Sequence, residues 1–194
     1  MSNNKIIVVA FTTLDGVVED PDGSWGAPFG GWGFRQGPQT FVGDKFGLGP
    51  ILATGALLFG RSTWQLFAAR WPGRSGEFAD AMNCARKYVV SRTLASVDEW
   101  SNSVLLDTDL IVGVERLRTE RDLVVIGSTD VVHQLAAKDL VDEYRLLVLP
   151  TVVGDGERLF DATPTELRLV SADVTEVGVL LRYEIERSAE RVAG

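Results

Sequence analysis

The residues best suited to chemistry in this sequence lie in three short polar segments, each directly after an apolar run. Gly60-Arg61-Ser62-Thr63 follows Ala56 to Phe59, Ser91-Arg92-Thr93 follows Arg86 to Val90, and Gly127-Ser128-Thr129-Asp130 follows Leu123 to Ile126. Glycine lets a backbone approach a ligand closely, and Ser, Thr and Asp are good residues for starting a helix. A helix that begins there presents unpaired N–H groups at the positive end of its macrodipole, which suits a phosphate. Any one such corner also reads as an ordinary strand-to-helix turn, and Arg61 or Arg92 taken alone as a surface arginine. Three corners together, two of them carrying arginine, point to a large polyphosphate ligand lying across the carboxyl edge of one sheet.

The first strand, Ile6 to Phe11, exits into Thr12-Thr13-Leu14-Asp15-Gly16. Strand exits of this kind lie where α/β sheets bind ligands, so Asp15 is a candidate for contact with substrate or water, with a plain Asp-Gly turn as the alternative. Glu19 to Gly49 then combines Trp25, Phe29, Trp32 and Phe34 with many glycines and little periodicity. A loop this long is a candidate lid. Its aromatic residues suit a flat organic ligand, and the competing reading packs them over the core or against a second subunit.

These segments need elements to hold them. Leu123 to Ile126 is a continuous apolar run, the pattern of a strand covered on both faces in a parallel sheet. Ser128, Thr129 and Asp130 supply caps for a helix that carries Val131, Val132, Leu135 and Ala136 on one side and ends near Lys138. A helix is also expected from about Gln39 to Thr54, interrupted in quality by Gly43, Gly47, Gly49 and Pro50. Near the end, Val179, Leu181, Tyr183 and Ile185 alternate with charged residues, so Leu167 to Val174 and Val179 to Ile185 read as an antiparallel pair. Residues 188–194 are expected to be a disordered tail after a single domain at 1–187.

Composition narrows the function. With 194 residues, 45% hydrophobic, the chain has enough material for one sizeable core. A net charge of −8 and a pI of about 4.7 disfavour a nucleic-acid or anionic-membrane surface, so a phosphate must be held locally. Cys84 is the only cysteine and His133 the only histidine, which excludes an internal disulfide, a Cys-based zinc site and a His cluster; no metal is expected. His133, inside the helix after the third corner, reads as structural, Cys84 as a small filler, and Asp155 as a tight-turn residue. No GxGxxG follows the first strand and no GxxxxGK[ST] occurs. No stretch reads as a signal or a membrane span, so a cytoplasmic, soluble protein is expected.

TTLDG at the first strand exit, LLFGRSTWQLF, KYVVSRTL, DLVVIGSTDVVHQLA and LVDEYRLLVLPTVVGDGERLF, in this order, resemble the dihydrofolate reductase-like superfamily. The similarity is to the branch typified by the C-terminal reductase domain of the riboflavin-biosynthesis deaminase/reductase, and it covers about Lys5 to Ile185. It implies a single α/β domain with a mixed, mainly parallel central sheet flanked by helices and a C-terminal antiparallel hairpin. It also implies an NADPH-dependent reductase, usually a homodimer, that transfers a hydride to a small heterocyclic or carbonyl/imine substrate. Carried over, Gly60, Arg61, Ser62 and Thr63 would meet the cofactor's phosphates, Ser91 and Arg92 would flank the adenosine 2′-phosphate, and Gly127, Ser128, Thr129, Asp130 and Val131 would wrap the pyrophosphate. Ala10, Thr13 and Gly16 would lie near the nicotinamide. Asp44 stands roughly where dihydrofolate reductase has its acid, so the proton would come from Asp15, Asp44 or water. The zinc-bearing deaminase half is not represented in these residues. Loop 19–49 does not read as the folate-binding segment. A non-catalytic NADP(H)-binding module, a dihydrofolate or pteridine reductase, and a structural or dimerisation domain remain as alternatives.

Overall fold

The computed structural model describes residues 4–160 and 164–186; the tail expected at 188–194 lies outside them. β1 (Ile6–Thr13) is followed by two short 3-10 turns, α1 (Gly49–Leu52), β2 (Ala56–Gly60), α2 (Arg61–Ala68), α3 (Glu77–Cys84) and β3 (Arg86–Val90). Then come β4 (Ser103–Leu105), α4 (Leu110–Leu117), β5 (Leu123–Ile126), α5 (Thr129–Ala136), β6 (Glu143–Leu149), β7 (Leu167–Val174) and β8 (Val179–Ile185). The strands form one eight-stranded sheet in the order β4-β3-β2-β5-β1-β6-β8-β7. All neighbours from β4 to β6 are parallel, while β8 runs antiparallel to both β6 and β7. The expected mixed, mainly parallel sheet with a terminal hairpin is thus the one that forms.

Apolar residues cover both faces because the strand period is two. On β1, Ile7 and Val9 enter one core with Leu57, Phe59, Trp64, Met82 and Trp100, whereas Ile6 and Val8 enter the other with Leu58, Val114, Val125 and Leu135. The central strands are therefore fully buried, which is why their sequence reads as continuous apolar runs rather than as alternation.

The helix expected from Gln39 to Thr54 does not form as one element. Only a 3-10 turn at Pro38–Phe41 and the single turn of α1 are helical. Gly43 and Gly47 adopt φ of 75° and 64°, left-handed values that break a right-handed helix. No described helix is long and apolar enough to cross a membrane.

Candidate functional site

The sheet order brings the three polar corners together. β3, β2 and β5 are adjacent and parallel, so Ser91-Arg92, Gly60 to Thr63 and Gly127 to Val131 emerge side by side at one carboxyl edge, next to β1. All of them line a single cleft of about 1130 Å³ that straddles this edge. Its size and position, outside the carboxyl ends of parallel strands, are those of a ligand site in an open α/β sheet. Among the described residues, neither Arg61 nor Arg92 makes an ion pair, and both side chains are exposed within the cleft.

The fit to a bound dinucleotide can be judged from the corners themselves. The backbone comes close at Gly60, where an added Cβ would lie 3.0 Å from the Ser128 hydroxyl, and at Gly127, where it would lie 3.2 Å from Thr63 Cγ2 with φ at 60°. α2 and α5 begin at these corners, and their first N–H groups have no partner within the helix. The donors, the two arginines and the close backbone approach suit a polyphosphate. Ser128 departs from its expected capping role. It sits in the left-handed region (φ 59°, ψ 62°) and makes no side-chain cap to α5. Its hydroxyl instead accepts from Gly60 N at 2.7 Å and donates to Thr63 Oγ1 at 2.9 Å, tying two corners together. Ser91 Oγ similarly accepts from Thr93 N and Leu94 N, shaping the third corner.

The residues expected near the nicotinamide divide. Ala10 lines the cleft; Thr13, Asp15 and Gly16 do not. Those three form a closed turn in which Thr13 Oγ1 accepts from Val17 N and donates to Asp15 Oδ1 at 2.6 Å. The Asp15 carboxylate also accepts from Gly154 N at 2.8 Å and Val153 N at 3.3 Å. The Thr13 hydroxyl first, and then these N–H groups, hold its carboxyl down at about 2, so it stays ionised at neutral pH. Asp44 is engaged in the same way. Its two oxygens accept from Leu48 N and Gly49 N, both at 2.7 Å, fixing the start of α1, and it does not line the cleft. In both cases a carboxylate that sequence offers to chemistry is taken up by backbone donors.

The long loop also divides. Trp32 is fully buried in the core, and its ring N–H donates to Glu19 O at 2.8 Å. Trp25 and Phe34 are about half exposed and line the cleft, while Phe29 does not line it. Phe34, Phe41, Phe11 and Phe46 form a chain of edge-on ring contacts with centroids 4.8–5.1 Å apart, so one wall of the cleft is aromatic.

Sequence reasoning missed what holds this loop. Asp20, 3% exposed, accepts from Trp25 N at 2.9 Å and Ala27 N at 3.0 Å. Arg70, just after α2, pairs with Asp22 and donates to Ser24 Oγ at 2.6 Å. Arg74 lies over the Trp71 ring at 4.8 Å. The one available signal was the Trp71-Pro72-Gly73 turn flanked by two arginines.

Two other groups have strongly shifted protonation, and neither lines the cleft. Burial pushes Lys87 down to about 8, and its Nζ donates to the carbonyls of Asn83, Ala85 and Ser101 over the Trp100 ring. Burial acts to raise the Glu143 carboxyl, but Arg182, Arg145 and Lys5 together hold it at about 2. Both are structural ion centres. His133 Nε2 donates to Leu159 O at 3.0 Å, and the residue does not line the cleft.

A family model for the RibD C-terminal domain matches residues 4–181. A Bacillus subtilis protein, the uncharacterized YyaP, is 25% identical over 171 residues, covering 82% of this chain and 84% of its own. A solved structure from Shewanella sp. PV-4, named for riboflavin biosynthesis, superposes with a TM-score of 0.72 at 19% identity over 94% of this chain and 99% of that one. The Thermotoga maritima diaminohydroxyphosphoribosylaminopyrimidine deaminase/5-amino-6-(5-phosphoribosylamino)uracil reductase superposes at 0.57 with 15% identity, over 95% of this chain but only 57% of its own length. With nearly all of its described residues inside the match, the chain belongs to the RibD C-terminal domain family, and its fold is that of the riboflavin-pathway reductase domain.

Proposed function

We propose that this chain is an NADPH-dependent reductase of a small, flat heterocyclic or carbonyl/imine substrate. The observation that carries the reading is the convergence of Gly60–Thr63, Ser91–Arg92 and Gly127–Val131 on one cleft, with two arginines that make no ion pair among the described residues. When bound, the reduced nicotinamide supplies a hydride to the substrate carbon. The corners of α2 and α5 would hold the phosphates, and Ala10 would lie near the ring that reacts. The Phe34, Phe41 and Phe46 wall, with Trp25, would stack a flat substrate and exclude water from one side. With Asp15 and Asp44 both engaged by backbone donors, the proton would come from water. That last observation also favours a second reading, in which the same cleft holds NADP(H) without turning over a substrate.

Both readings require cofactor binding. NADPH at one hundred times its dissociation constant adds about 2.7 kcal/mol of stability, which for a chain of this size raises the melting temperature by about 5–10 °C. NADPH should also alter tryptophan fluorescence, and the change should be smaller in Trp25→Phe, with Trp71 also lining the cleft. A chain that shows neither response is not this kind of protein. Loss of NADPH absorbance with pyrimidine, pterin or aromatic carbonyl substrates then separates the reductase from the binding module.

We further propose that two copies associate through the hairpin. Leu169 and Val174 on β7 are 52% and 88% exposed, and every residue of β8 is only half-buried. A stable interface there would bury at least about 1,000 Å² in total. Light scattering should give twice the 21.1 kDa chain mass, falling to one chain in Leu169→Glu; a 21.1 kDa particle for the unaltered protein sinks the idea.

A further inference from the structure

We infer that Ser128 is a positioning residue whose hydroxyl clasps the two phosphate-facing corners together. The inference rests on the proposed cofactor reading. Ser128 occupies a left-handed backbone conformation that residues bearing a Cβ seldom adopt and that glycine adopts freely. Strain of this kind persists where the surrounding structure over-determines it, and it concentrates at functional sites. A serine at such a position needs a reason that its hydroxyl supplies. Its Oγ reaches Gly60 N, 68 residues away in sequence, at 2.7 Å, and Thr63 Oγ1, 65 residues away, at 2.9 Å.

The fit around it is tight. An added Cβ at Gly60 would fall 3.0 Å from Ser128 Oγ, and one at Gly127 would fall 3.2 Å from Thr63 Cγ2. The β2–α2 and β5–α5 corners therefore interlock, and the hydroxyl sits at their junction. The hydroxyl accepts from Gly60 N and shares a hydrogen bond with Thr63 Oγ1, so both of its side-chain contacts lie on the neighbouring corner. The Ser128 carbonyl is likewise occupied, accepting from Val131 N and Val132 N. What the residue controls is the spacing between the first turns of α2 and α5, whose residues line the cleft. Because both helix starts address phosphates that NADPH and NADH share, the effect is blind to the 2′-phosphate.

The test compares Ser128→Ala, Ser128→Gly, Thr63→Val and the Thr63→Val/Ser128→Ala double variant, measuring dissociation constants for NADPH and NADH well below the melting temperature. Ser128→Gly removes the hydroxyl while relieving the backbone strain, so its melting temperature should stay near that of the unaltered chain and a weaker affinity cannot be ascribed to unfolding. Both serine variants should weaken NADPH and NADH by the same factor, about ten-fold, leaving their ratio unchanged. The double variant should bind no more weakly than the weaker single one, since both substitutions open the same clasp. An unchanged NADPH affinity in Ser128→Gly, a loss confined to NADPH, or additive losses in the double variant overturn the inference while the cofactor reading stands. Failure of the unaltered chain to bind NADPH overturns both.

Discussion

Replacing Glu143 with glutamine should destabilise the fold by about 3–5 kcal/mol, the cost of removing one partner from a buried ion cluster. Glu143 is 0% exposed and accepts four hydrogen bonds: from Arg145 Nε at 2.7 Å, Arg182 Nε at 2.7 Å, Arg182 Nη2 at 3.0 Å and Lys5 Nζ at 3.1 Å. Glutamine fits the space but turns an amide N–H₂ toward groups that can only donate, and it leaves the guanidinium groups without their anion. For a chain of this length the melting temperature should fall by about 6–20 °C. The consequence reaches the cleft wall, because Arg145 also donates to Phe46 O at 2.6 Å and Gly47 O at 3.2 Å, and the Phe46 ring packs on Phe11.

The same cluster sets an acid response. In the folded chain the Glu143 carboxyl lies at about 2, below its ordinary value of 4.5. A depressed carboxyl stabilises the folded state at pH above 4.5, and that stability is lost as pH falls from 4.5 through 2. Denaturant unfolding followed from pH 7 to pH 2 should therefore show a drop in this window that is shallower in Glu143→Gln. Equal slopes for the two proteins would remove Glu143 from the account.

Arg61→Ala and Arg92→Ala should each weaken NADPH binding by about ten-fold or more and leave NADH nearly unchanged. The two cofactors differ by one phosphate on the adenosine ribose, and discrimination requires cations placed where that group lies. A guanidinium donates planar, charge-assisted hydrogen bonds to phosphate oxygens and stays protonated at any working pH. Such bonds are typically worth about 1.5–3 kcal/mol each, reduced here by solvent because both arginines are exposed. The double variant should approach a hundred-fold loss, and the NADPH preference should shrink as salt is raised. A chain charge of −8 repels a polyanion at long range, which leaves attraction to this local pair. Titration of both cofactors against each variant decides the point. Equal losses would place the arginines on the shared pyrophosphate, and no loss would take them out of the site.

Much of this was legible in the sequence because it is local. Continuous apolar runs at Ile6–Phe11 and Leu123–Ile126 mark strands buried on both faces, and the alternation from Val179 to Ile185 marks the half-exposed hairpin. The glycine and arginine corners are visible as residue types directly after such runs. Their adjacency is not local: it follows from a strand order in which β5 inserts between β1 and β2, a choice made by how the whole sheet packs.

Carboxylate roles were the least legible. Asp15 and Asp44 offer the same side chain in sequence whether it faces a substrate or a backbone N–H, and only the turns at Gly154 and Leu48 decide for the backbone. Trp25 and Trp32 lie on one glycine-rich loop, yet one is half exposed at the cleft and the other fully buried, because Asp20 folds the loop through donors several residues away. Glu143 sits at a strand start, where an acid reads as solvent-exposed. In the fold it is buried, and Lys5 and Arg182, 138 and 39 positions distant, reach its carboxylate. By itself the sequence determined most of the strands and helices, the broken stretch at 39–54 excepted, and which corners carry residue types suited to a phosphate, since those depend on neighbours within one or two turns. The tertiary structure alone decided which corners share a cleft, which carboxylates are already satisfied and where Ser128 finds its partners, since each depends on groups that only the folded sheet brings within hydrogen-bond distance.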